Sequence, residues 1–553
     1  MKVLLCSIKV SRVLQEYKFS ILCFLYFTLL AFYLRTVFIG WDPLSQSFSL
    51  SVCLTSFVYA VLNAIVVLSL LNLISHIHKG GAVFVVLLII LLTIEATLAI
   101  AFSSQITMGL FASIMETNRY EALGAIRMYS FISIPLLIIT SVVIWLAYGE
   151  LRTKKPYIFI SIVLIVGSLG IGYGAGYVLM DKSQKAKVVS ELKLSSLMHF
   201  QSLLGIRFPL LTNMGFASVA YYQEMSKFRT DLDKAKSMPM GLDLLVWSKS
   251  PNTLFVVIGE SSLQTHYSLY GYDLSTTPFQ DSLKNDSLLY YYNAVSPASI
   301  TRDALCMSLS FATPLDRIPF IDNKNIVALA NDAGYESYWI SNQDKIGMHD
   351  SYVGLIASYA KTAVFYNFLK DDLELISTVK SFYNPDAKQV FFIHLKGSHL
   401  EYTDKYDYED SAALVGNGNE TIEYDRSIHH TDRVLKSLYN NIVMETDSSA
   451  SSLIFYFSDH GEIINKGHGF LDNNLDQFLV PFLAIPHNLE IGIDEIVDKY
   501  LVDGRLNTTN FSYIFSEAIG YRVSEKAIKK AKNDGLYYYH VDGKTYLFND
   551  IKK

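Results

Sequence analysis

Five long apolar runs fill the first third of this 553-residue chain, and they restrict its fold more than any other feature. Each run is long enough to cross the hydrocarbon core of a bilayer, which takes roughly 20 residues of helix. The runs cover residues 19–40, 48–74, 82–102, 128–148 and 157–180. We therefore predict a bundle of five transmembrane helices, the first of them an uncleaved signal anchor. Glu95 and Arg35 lie in or near these runs, where we expect them to pair, reach the interface or contact lipid headgroups.

The placement of lysine and arginine predicts how the helices cross the membrane, because cytoplasmic loops are enriched in these residues. The loop at residues 41–47, on the opposite side, contains no basic residue. The basic residues assigned to the cytoplasm are Lys2, Lys9, Arg12, Lys18, Lys79, Arg152, Lys154 and Lys155. A cytoplasmic N-terminus and an odd number of spans place the rest of the chain on the far side of the membrane.

The sequence divides into three segments. Residues 1–180 form the transmembrane domain, and residues 181–250 form connecting helices that lie partly on the membrane surface or pack on the globular domain. In residues 251–553, nearly continuous apolar runs alternate with helical stretches, which indicates a mainly parallel sheet covered by helices on both faces. The predicted strands cover residues 253–259, 337–341, 389–394 and 452–457.

Charge and cysteine content exclude two further features. The formal net charge is −6 and no basic block occurs, so nucleic acid is not expected as a partner. Cys306 is the only cysteine after residue 180, so no disulfide can form within the globular domain.

Polar residues follow the predicted strands at the positions where parallel sheets carry functional groups. Glu260 follows the first strand, and Asp459 and His460 follow the fourth. Carboxylate oxygens and imidazole nitrogens are ligands that zinc accepts. Thr301 lies in a polar turn leading into a helix, where a metal would activate its hydroxyl as a nucleophile and backbone amides would favour a phosphate.

Each of these residues also has an ordinary structural interpretation. Asp459 and His460 could form a loop hydrogen bond, Glu260 could cap a helix, and Thr301 could be a helix N-cap. Ser299 is a rival nucleophile. The combination of residue types, and their order at the strand ends, favours catalysis over these interpretations.

Several short motifs follow one another along the chain. They are Val-Val-Ile-Gly-Glu260-Ser, Leu269-Tyr-Gly-Tyr272 with Thr277-Pro278, Tyr338-Trp-Ile-Ser-Asn342-Gln343, His394-Leu-Lys-Gly-Ser-His399, Ser458-Asp-His-Gly-Glu462 and His468-Gly469. This series resembles the alkaline-phosphatase-like superfamily and, within it, the membrane-anchored phosphoethanolamine transferases that modify lipopolysaccharide. The resemblance covers nearly the whole chain. It implies a five-helix transmembrane bundle joined to an α/β domain of the alkaline-phosphatase/sulfatase type.

The resemblance implies a zinc site and a nucleophile. Glu260, Thr301, Asp459 and His460 would bind Zn²⁺, and Thr301 would also carry the phosphoethanolamine group as a covalent intermediate.

The resemblance also implies the surroundings of the transferred group. His399 and His468 would lie near the phosphate as proton donors or as ligands of a second, weaker zinc. Glu462 would face the ethanolamine or the acceptor, and Asn342 would belong to the substrate-binding site.

The same resemblance implies a reaction and a location. The donor would be phosphatidylethanolamine, and the acceptor a lipopolysaccharide core sugar or lipid A. The protein would lie in the inner membrane of a Gram-negative bacterium with its catalytic domain in the periplasm. Because the transferred group adds a cationic amine to an anionic surface, weaker binding of cationic peptides, and hence polymyxin resistance, is an expected consequence.

One departure from the family concerns the acceptor. Members that act on lipid A commonly have cysteines around the nucleophile and several disulfides. Here Pro297 and Ala298 precede the nucleophile and only Cys306 remains. The run that begins at Thr301 is more similar to members that modify the lipopolysaccharide core.

Three other functions compete with this one. A phosphoglycerol transferase of the same superfamily would act on an envelope glycan. A sulfatase would need a cysteine in a Cys-x-Pro-x-Arg context, which Cys306 lacks. A non-catalytic envelope protein with a decayed site is disfavoured because every expected ligand type is present.

Five other residues are predicted to be structural. His349 and Asp350 form a surface pair, and His394 is a satisfied core histidine. His429 and His430 lie on a solvated helix face.

Overall fold

The computed structural model describes residues 15–40, 50–77, 80–102, 106–116, 119–178, 210–231, 236–245, 250–343, 352–366, 371–416, 418–445, 450–470, 474–489, 491–541 and 543–551. These residues divide into two compact units. The first contains residues 1–115, 122–224 and 470–472, and the second contains residues 116–121, 225–469 and 473–553. The first half of the predicted connecting segment, residues 181–209, lies outside the described residues, as do His349 and Asp350.

The first unit is helical, and most of its helices are apolar. In chain order the helices here are α1 (Lys18–Gly40), α2 (Leu50–Ser75), α3 (Gly81–Ala101), α4 (Met108–Glu116), α5 (Arg119–Met128), α6 (Ser130–Arg152), α7 (Ile158–Val178) and α8 (Thr212–Asp231), the last of which continues into the second unit. Among the described residues, α1, α2, α3 and α6 are long and apolar enough to cross a membrane, and the apolar part of α7, Ile158–Gly172, is shorter. The helices α4 and α5 fall in a stretch for which the sequence predicted no element.

Polar contacts fix some of these helices to one another. Glu150 on α6 accepts hydrogen bonds from the backbone N–H of Phe19, at 3.2 Å, and from the N–H and hydroxyl of Ser20, at 2.8 and 2.7 Å. A carboxylate at a helix N-terminus satisfies orphan amides and complements the helix dipole. Of the two charged residues expected to need partners, Glu95 accepts the backbone N–H of Leu211, and the Arg35 guanidinium lies 4.4 Å from the ring centroid of Tyr59.

Strands build the second unit. In chain order they are β1 (Leu242–Leu244), β2 (Thr253–Gly259), β3 (Tyr290–Val295), β4 (Glu336–Ser341), β5 (Thr362–Phe365), β6 (Gln389–His394), β7 (Ser452–Ser458), β8 (Leu479–His487), β9 (Leu506–Asn507), β10 (Tyr521–Val523), β11 (Tyr537–Tyr539) and β12 (Thr545–Leu547). In the described part of the chain they form an eight-stranded sheet with the order β5-β4-β6-β2-β7-β8-β3-β9 and two small antiparallel pairs, β1 with β10 and β11 with β12. Neighbouring strands from β5 through β7 in that order are parallel, whereas β8 is antiparallel to β7 and β3. The mainly parallel sheet expected from the sequence is confirmed.

Helices cover both faces of this sheet. The helices of this unit that follow α8 are α9 (Pro278–Asn285), α10 (Thr301–Ser308), α11 (Pro319–Asp322), α12 (Ile326–Asp332), α13 (Tyr352–Ser358), α14 (Leu375–Phe382), α15 (Tyr408–Ala413), α16 (Glu420–Leu438), α17 (Ile493–Asp498), α18 (Phe511–Ala518) and α19 (Glu525–Asp534). On one face, Phe255 and Phe391 belong to a core that includes residues of α14 and α16. On the other face, Phe455 and Phe457 contact Phe511 of α18 edge-on or tilted.

The sheet brings the ends of three strands together. In the parallel register, Ile258 of β2 lies opposite His394 of β6, and Gly259 of β2 lies opposite Ser458 of β7. Residues that follow β2, β6 and β7 therefore emerge side by side at the carboxyl edge, where open α/β sheets place their sites.

Candidate active site

Glu260, Asp459 and His460 converge at the carboxyl ends of β2 and β7. All three side chains are buried, and one ligand atom from each lies within 4.8 Å of the others. His460 Nε2 is 3.4 Å from Glu260 Oε1 and 3.1 Å from Asp459 Oδ2. Burying two carboxylates next to each other costs free energy unless a positive charge compensates for them. A divalent cation would supply that charge, and the two carboxylates and the imidazole offer the oxygen and nitrogen ligands that zinc accepts.

Hydrogen bonds leave one atom of Asp459 and one of His460 available. Asp459 Oδ1 accepts the backbone N–H groups of Ser261, at 3.0 Å, and His460, at 2.7 Å, whereas Oδ2 accepts no hydrogen bond from the described residues. His460 Nδ1 lies 2.9 Å from the carbonyl oxygen of Gly461. Because a carbonyl only accepts, Nδ1 carries the proton and Nε2 presents its lone pair. Burial lowers the pKa of His460 to about 4, which keeps the ring neutral.

Thr301 is the first residue of α10, and its hydroxyl points into this cluster. Thr301 Oγ1 lies 3.2 Å from His460 Nε2 and 3.3 Å from Glu260 Oε2. The residue before the helix is Ile300, which makes no side-chain cap, so the interpretation of Thr301 as an N-cap is wrong. The rival nucleophile Ser299 is fully buried, and its hydroxyl has no hydrogen-bond partner among the described residues.

A second group of polar side chains adjoins the cluster. His468 Nδ1 lies 3.0 Å from Glu462 Oε2, and the Tyr402 hydroxyl donates to Glu462 Oε1 at 3.1 Å. The His468 ring is 4.0 Å from the His460 ring and 5.5 Å from the His399 ring, measured between centroids. Burial raises the pKa of Glu462 to about 8 and lowers that of His468 to about 4. Near neutral pH, Glu462 therefore holds a proton beside a neutral His468.

The side chain of Asn342 hydrogen-bonds to a further carboxylate, that of Asp372. Its side-chain Nδ2 donates to Asp372 Oδ1 at 2.8 Å, and Asp372 also accepts the backbone N–H groups of Lys396 and Gly397, each at 3.0 Å. Gly397 has φ +58°, and a Cβ atom there would lie 2.7 Å from both the N and the O of Glu260. Asp372 could not be identified from the sequence, because its partners, the Asn342 side chain and two backbone N–H groups, are distant from it in the chain.

Two predictions about histidines are wrong. His429 and His430 are buried rather than solvated, and their Nδ1 atoms lie 2.6 and 2.7 Å from the two carboxylate oxygens of Asp410. His430 Nε2 also contacts Asp371, at 2.9 Å, so two carboxylates cover these histidines, of which Asp410 is buried and Asp371 is exposed. His394 is buried, as expected of a core residue, but neither ring nitrogen has a hydrogen-bond partner in the described part of the chain.

Comparison with known proteins agrees with this fold. Residues 252–490 match the family described as Sulfatase. The chain is 23% identical over 418 residues to the phosphoethanolamine transferase EptC of Escherichia coli K12, covering 69% of this chain and 70% of the relative. It is 26% identical over 250 residues to the Kdo(2)-lipid A phosphoethanolamine 7''-transferase of Salmonella typhimurium LT2, covering 41% and 43%.

A solved structure resembles nearly the whole chain. The integral membrane lipooligosaccharide phosphoethanolamine transferase A (EptA) of Neisseria meningitidis superposes with a TM-score of 0.64 over 93% of this chain and 97% of that chain, at 15% identity. At this identity the likeness concerns the fold.

The chain therefore combines helices long and apolar enough to cross a membrane with a segment, residues 252–490, that matches the Sulfatase family. Its curated relatives include phosphoethanolamine transferases, as the motifs in the sequence had suggested.

Proposed function

We propose that the protein transfers phosphoethanolamine from phosphatidylethanolamine to a lipopolysaccharide acceptor through a covalent intermediate on Thr301. The observation that carries this proposal is the contact of Thr301 Oγ1 with His460 Nε2, at 3.2 Å, inside a buried set of metal-ligand groups. The names of the relatives, EptC and the Kdo(2)-lipid A transferase, supply the chemical class of the transferred group.

Zinc fits the residues at this site. Glu260, Asp459 and His460 would hold the ion, with Thr301 Oγ1 as a further ligand. The fit is supported by Asp459 Oδ2, a buried carboxylate oxygen that accepts no hydrogen bond from the described residues, and by His460 Nε2, which is unprotonated and faces the same cluster. When bound, zinc would lower the pKa of a hydroxyl and neutralise charge on a phosphoryl group.

In the first half-reaction, Thr301 replaces diacylglycerol on the phosphorus. The hydroxyl is held by Glu260 and His460, which aim an oxygen lone pair at the incoming phosphate. A bond forms between Oγ1 and phosphorus as the bond from phosphorus to the glycerol oxygen breaks. The threonine proton is lost, and the departing oxygen takes up a proton to give diacylglycerol.

In the second half-reaction, an acceptor oxygen on lipopolysaccharide attacks the phosphothreonine. The new P–O bond forms as the bond to Oγ1 breaks, the acceptor hydroxyl loses its proton, and Thr301 regains one. Glu462 and His468 are the groups proposed to exchange these protons, because they adjoin His460 and Glu462 carries a proton near pH 7. His399, 5.5 Å from His468 between ring centroids, completes the phosphate surroundings. Asn342 is proposed to act through Asp372, which it contacts.

The membrane anchor suits a lipid donor. We propose that the N-terminus is cytoplasmic and the catalytic domain periplasmic, in the inner membrane of a Gram-negative bacterium, where the donor is a bilayer component. The product would carry an added amine on an anionic surface, and cationic peptides such as polymyxins would bind it less. Because Pro297 and Ala298 stand where lipid A transferases have cysteines, a core sugar is the favoured acceptor over lipid A.

Peptide mass spectrometry tests this proposal. Purified full-length protein is incubated with phosphatidylethanolamine or, separately, with phosphatidylglycerol, and the peptide containing Thr301 is examined. A phosphoethanolamine adduct that persists in Ser299→Ala and disappears in Thr301→Ala is expected. A glycerophosphate adduct formed from phosphatidylglycerol alone would instead identify a phosphoglycerol transferase, and no adduct with either lipid would refute the proposed nucleophile.

A further inference from the structure

Ser261 follows Glu260 directly and has an uncommon backbone conformation. Its φ is +56°, in the left-handed region that glycine adopts freely and other residues rarely adopt. Residues in such sparsely populated backbone conformations cluster at functional sites. Ser261 is also fully buried, so solvent exposure does not account for its hydroxyl.

The contacts of Ser261 link two carboxylates of the metal-ligand group. Its hydroxyl donates to Glu260 Oε1 at 3.0 Å, and its backbone N–H donates to Asp459 Oδ1 at 3.0 Å. The same hydroxyl lies 3.5 Å from His468 Nδ1. Ser261 therefore contacts both Glu260 and Asp459, and its hydroxyl also lies close to His468.

Tyr424 fixes the backbone that presents these donors. Its buried hydroxyl donates to the carbonyl oxygen of Ser261 at 2.8 Å and accepts the N–H of Leu263 at 2.6 Å. Because Tyr424 lies on α16, the turn after β2 is held from a second element. The backbone that carries the Ser261 side chain is therefore held by contacts that do not involve Glu260.

We propose that Ser261 is a positioning residue for the metal site: its hydroxyl holds the Glu260 carboxylate in the orientation that binds zinc, while its N–H orients Asp459. This inference rests on the zinc site of the proposed function. A hydrogen bond to one carboxylate oxygen restricts rotation of the group and so favours one orientation of its metal-binding oxygens. Loss of such an outer hydrogen bond typically weakens metal binding 10- to 100-fold.

Ser262 provides a matched control. It is the next residue and is also fully buried, but its backbone N–H donates to Ser458 Oγ at 2.9 Å and its hydroxyl contacts the Tyr456 hydroxyl at 3.3 Å. Replacing it removes a buried hydroxyl from the same turn without removing the donor to Glu260.

The test measures the affinity of full-length, metal-stripped protein for zinc alone, by competition with a chromophoric chelator. Ser261→Ala and Ser261→Gly are each expected to weaken zinc binding by about 10- to 100-fold, and Ser262→Ala by less than about twofold. Ser261→Gly also relieves the left-handed conformation, so its metal-free melting temperature should equal or exceed that of wild type. A loss of affinity in this variant therefore cannot come from a loss of folding.

Adduct formation on Thr301 separates this inference from the proposed function. At saturating zinc, Ser261→Ala should regain the phosphoethanolamine adduct, because the residue acts through the metal. Wild-type zinc affinity in both Ser261 variants would overturn the positioning role while leaving the transferase proposal intact. A wild-type protein that binds no zinc would overturn both.

Discussion

The hydroxyl oxygen of Thr301 lies 3.2 Å from Nε2 of His460, although 158 residues separate them in the chain. The contact exists because α10 begins over the carboxyl edge of the sheet, where β7 delivers Asp459 and His460. The proposed nucleophile and a proposed metal ligand are thus held within hydrogen-bond distance by two secondary-structure elements. Such fixed placement is how a protein lowers the entropic part of a phosphoryl-transfer barrier.

Two substitutions of Thr301 should distinguish the contribution of its hydroxyl to catalysis from that of the rest of its side chain. Thr301→Ser keeps an oxygen within reach of His460 and should retain transfer at a reduced rate, whereas Thr301→Ala should lose activity by at least about 10³-fold, since no nucleophile remains. Release of diacylglycerol from a labelled phosphatidylethanolamine measures both. Ser299→Ala serves as the control, and an inactive Ser299→Ala with an active Thr301→Ala would reverse the assignment.

Asp459→Asn should affect the metal-bound protein far more than the metal-free protein. Without zinc, the amide oxygen can still accept the backbone N–H groups of Ser261 and His460, so the melting temperature should change little. With free zinc at 100 times its Kd, wild type should gain about 2.7 kcal/mol in the free energy of unfolding. The variant should lose this gain.

Thermal unfolding of full-length protein with and without zinc measures both effects. Chelation should return wild type to its metal-free melting temperature and abolish transfer. An equal zinc-induced shift in wild type and Asp459→Asn would contradict a role for Asp459 in holding the ion.

The sequence predicted the central strands because they are buried on both faces. The strands at Thr253–Gly259 and Gln389–His394 have the same bounds in the structure as in the prediction, since continuous apolar runs end there at polar residues. The strand Leu479–His487 was missed because it contains Pro481 and Pro486, and proline is uncommon within a sheet. Tyr290–Val295 was missed because its first residues are exposed.

The candidate site was only partly visible in the sequence. Glu260, Asp459 and His460 follow predicted strands, so the parallel sheet places them at one edge. Asp372 acts through backbone groups that only the folded chain brings to it. His429 was assigned to a solvated face because helical spacing identifies which residues share a face but not what covers it, and here Asp410 covers it.

Gly397→Ala should damage the site through the backbone of Glu260. A Cβ atom at Gly397 would lie 2.7 Å from Glu260 N and O, and the left-handed φ of +58° adds strain. We expect a loss of about 2–4 kcal/mol in the free energy of unfolding and weaker zinc binding. Thermal unfolding and chelator competition measure the two effects.

Gly271→Ala is the matched control for this change. Gly271 has φ +98°, but no described atom lies within 4 Å of its would-be Cβ. The Gly271→Ala protein should lose only about 1–2 kcal/mol in the free energy of unfolding and should keep its zinc affinity. Equal effects of the two substitutions on zinc binding would show that the contact with Glu260 does not matter.

His430 should make the stability of the protein depend on pH. Burial opposes its charge, but hydrogen bonds to Asp371 and Asp410 outweigh burial and raise its pKa to about 10. In the unfolded chain a histidine has a pKa of about 6.5. The contribution of the charged ring to the free energy of unfolding is therefore complete below that pH and is lost as the pH rises through about 10. Between these two pH values, the free energy of unfolding of wild type should fall by up to about 1.4 kcal/mol per pH unit relative to that of His430→Gln.

Melting temperatures of wild type and His430→Gln across pH 6 to 10 measure this dependence. The difference should be largest at pH 6 and nearly absent at pH 10, because the variant keeps a polar side chain but cannot carry the charge. Arg433, which also contacts Asp410 at 2.8 Å, remains charged over the whole range and so contributes a constant background. A difference that does not change with pH would mean that the ring stabilises the fold through packing and neutral hydrogen bonds alone.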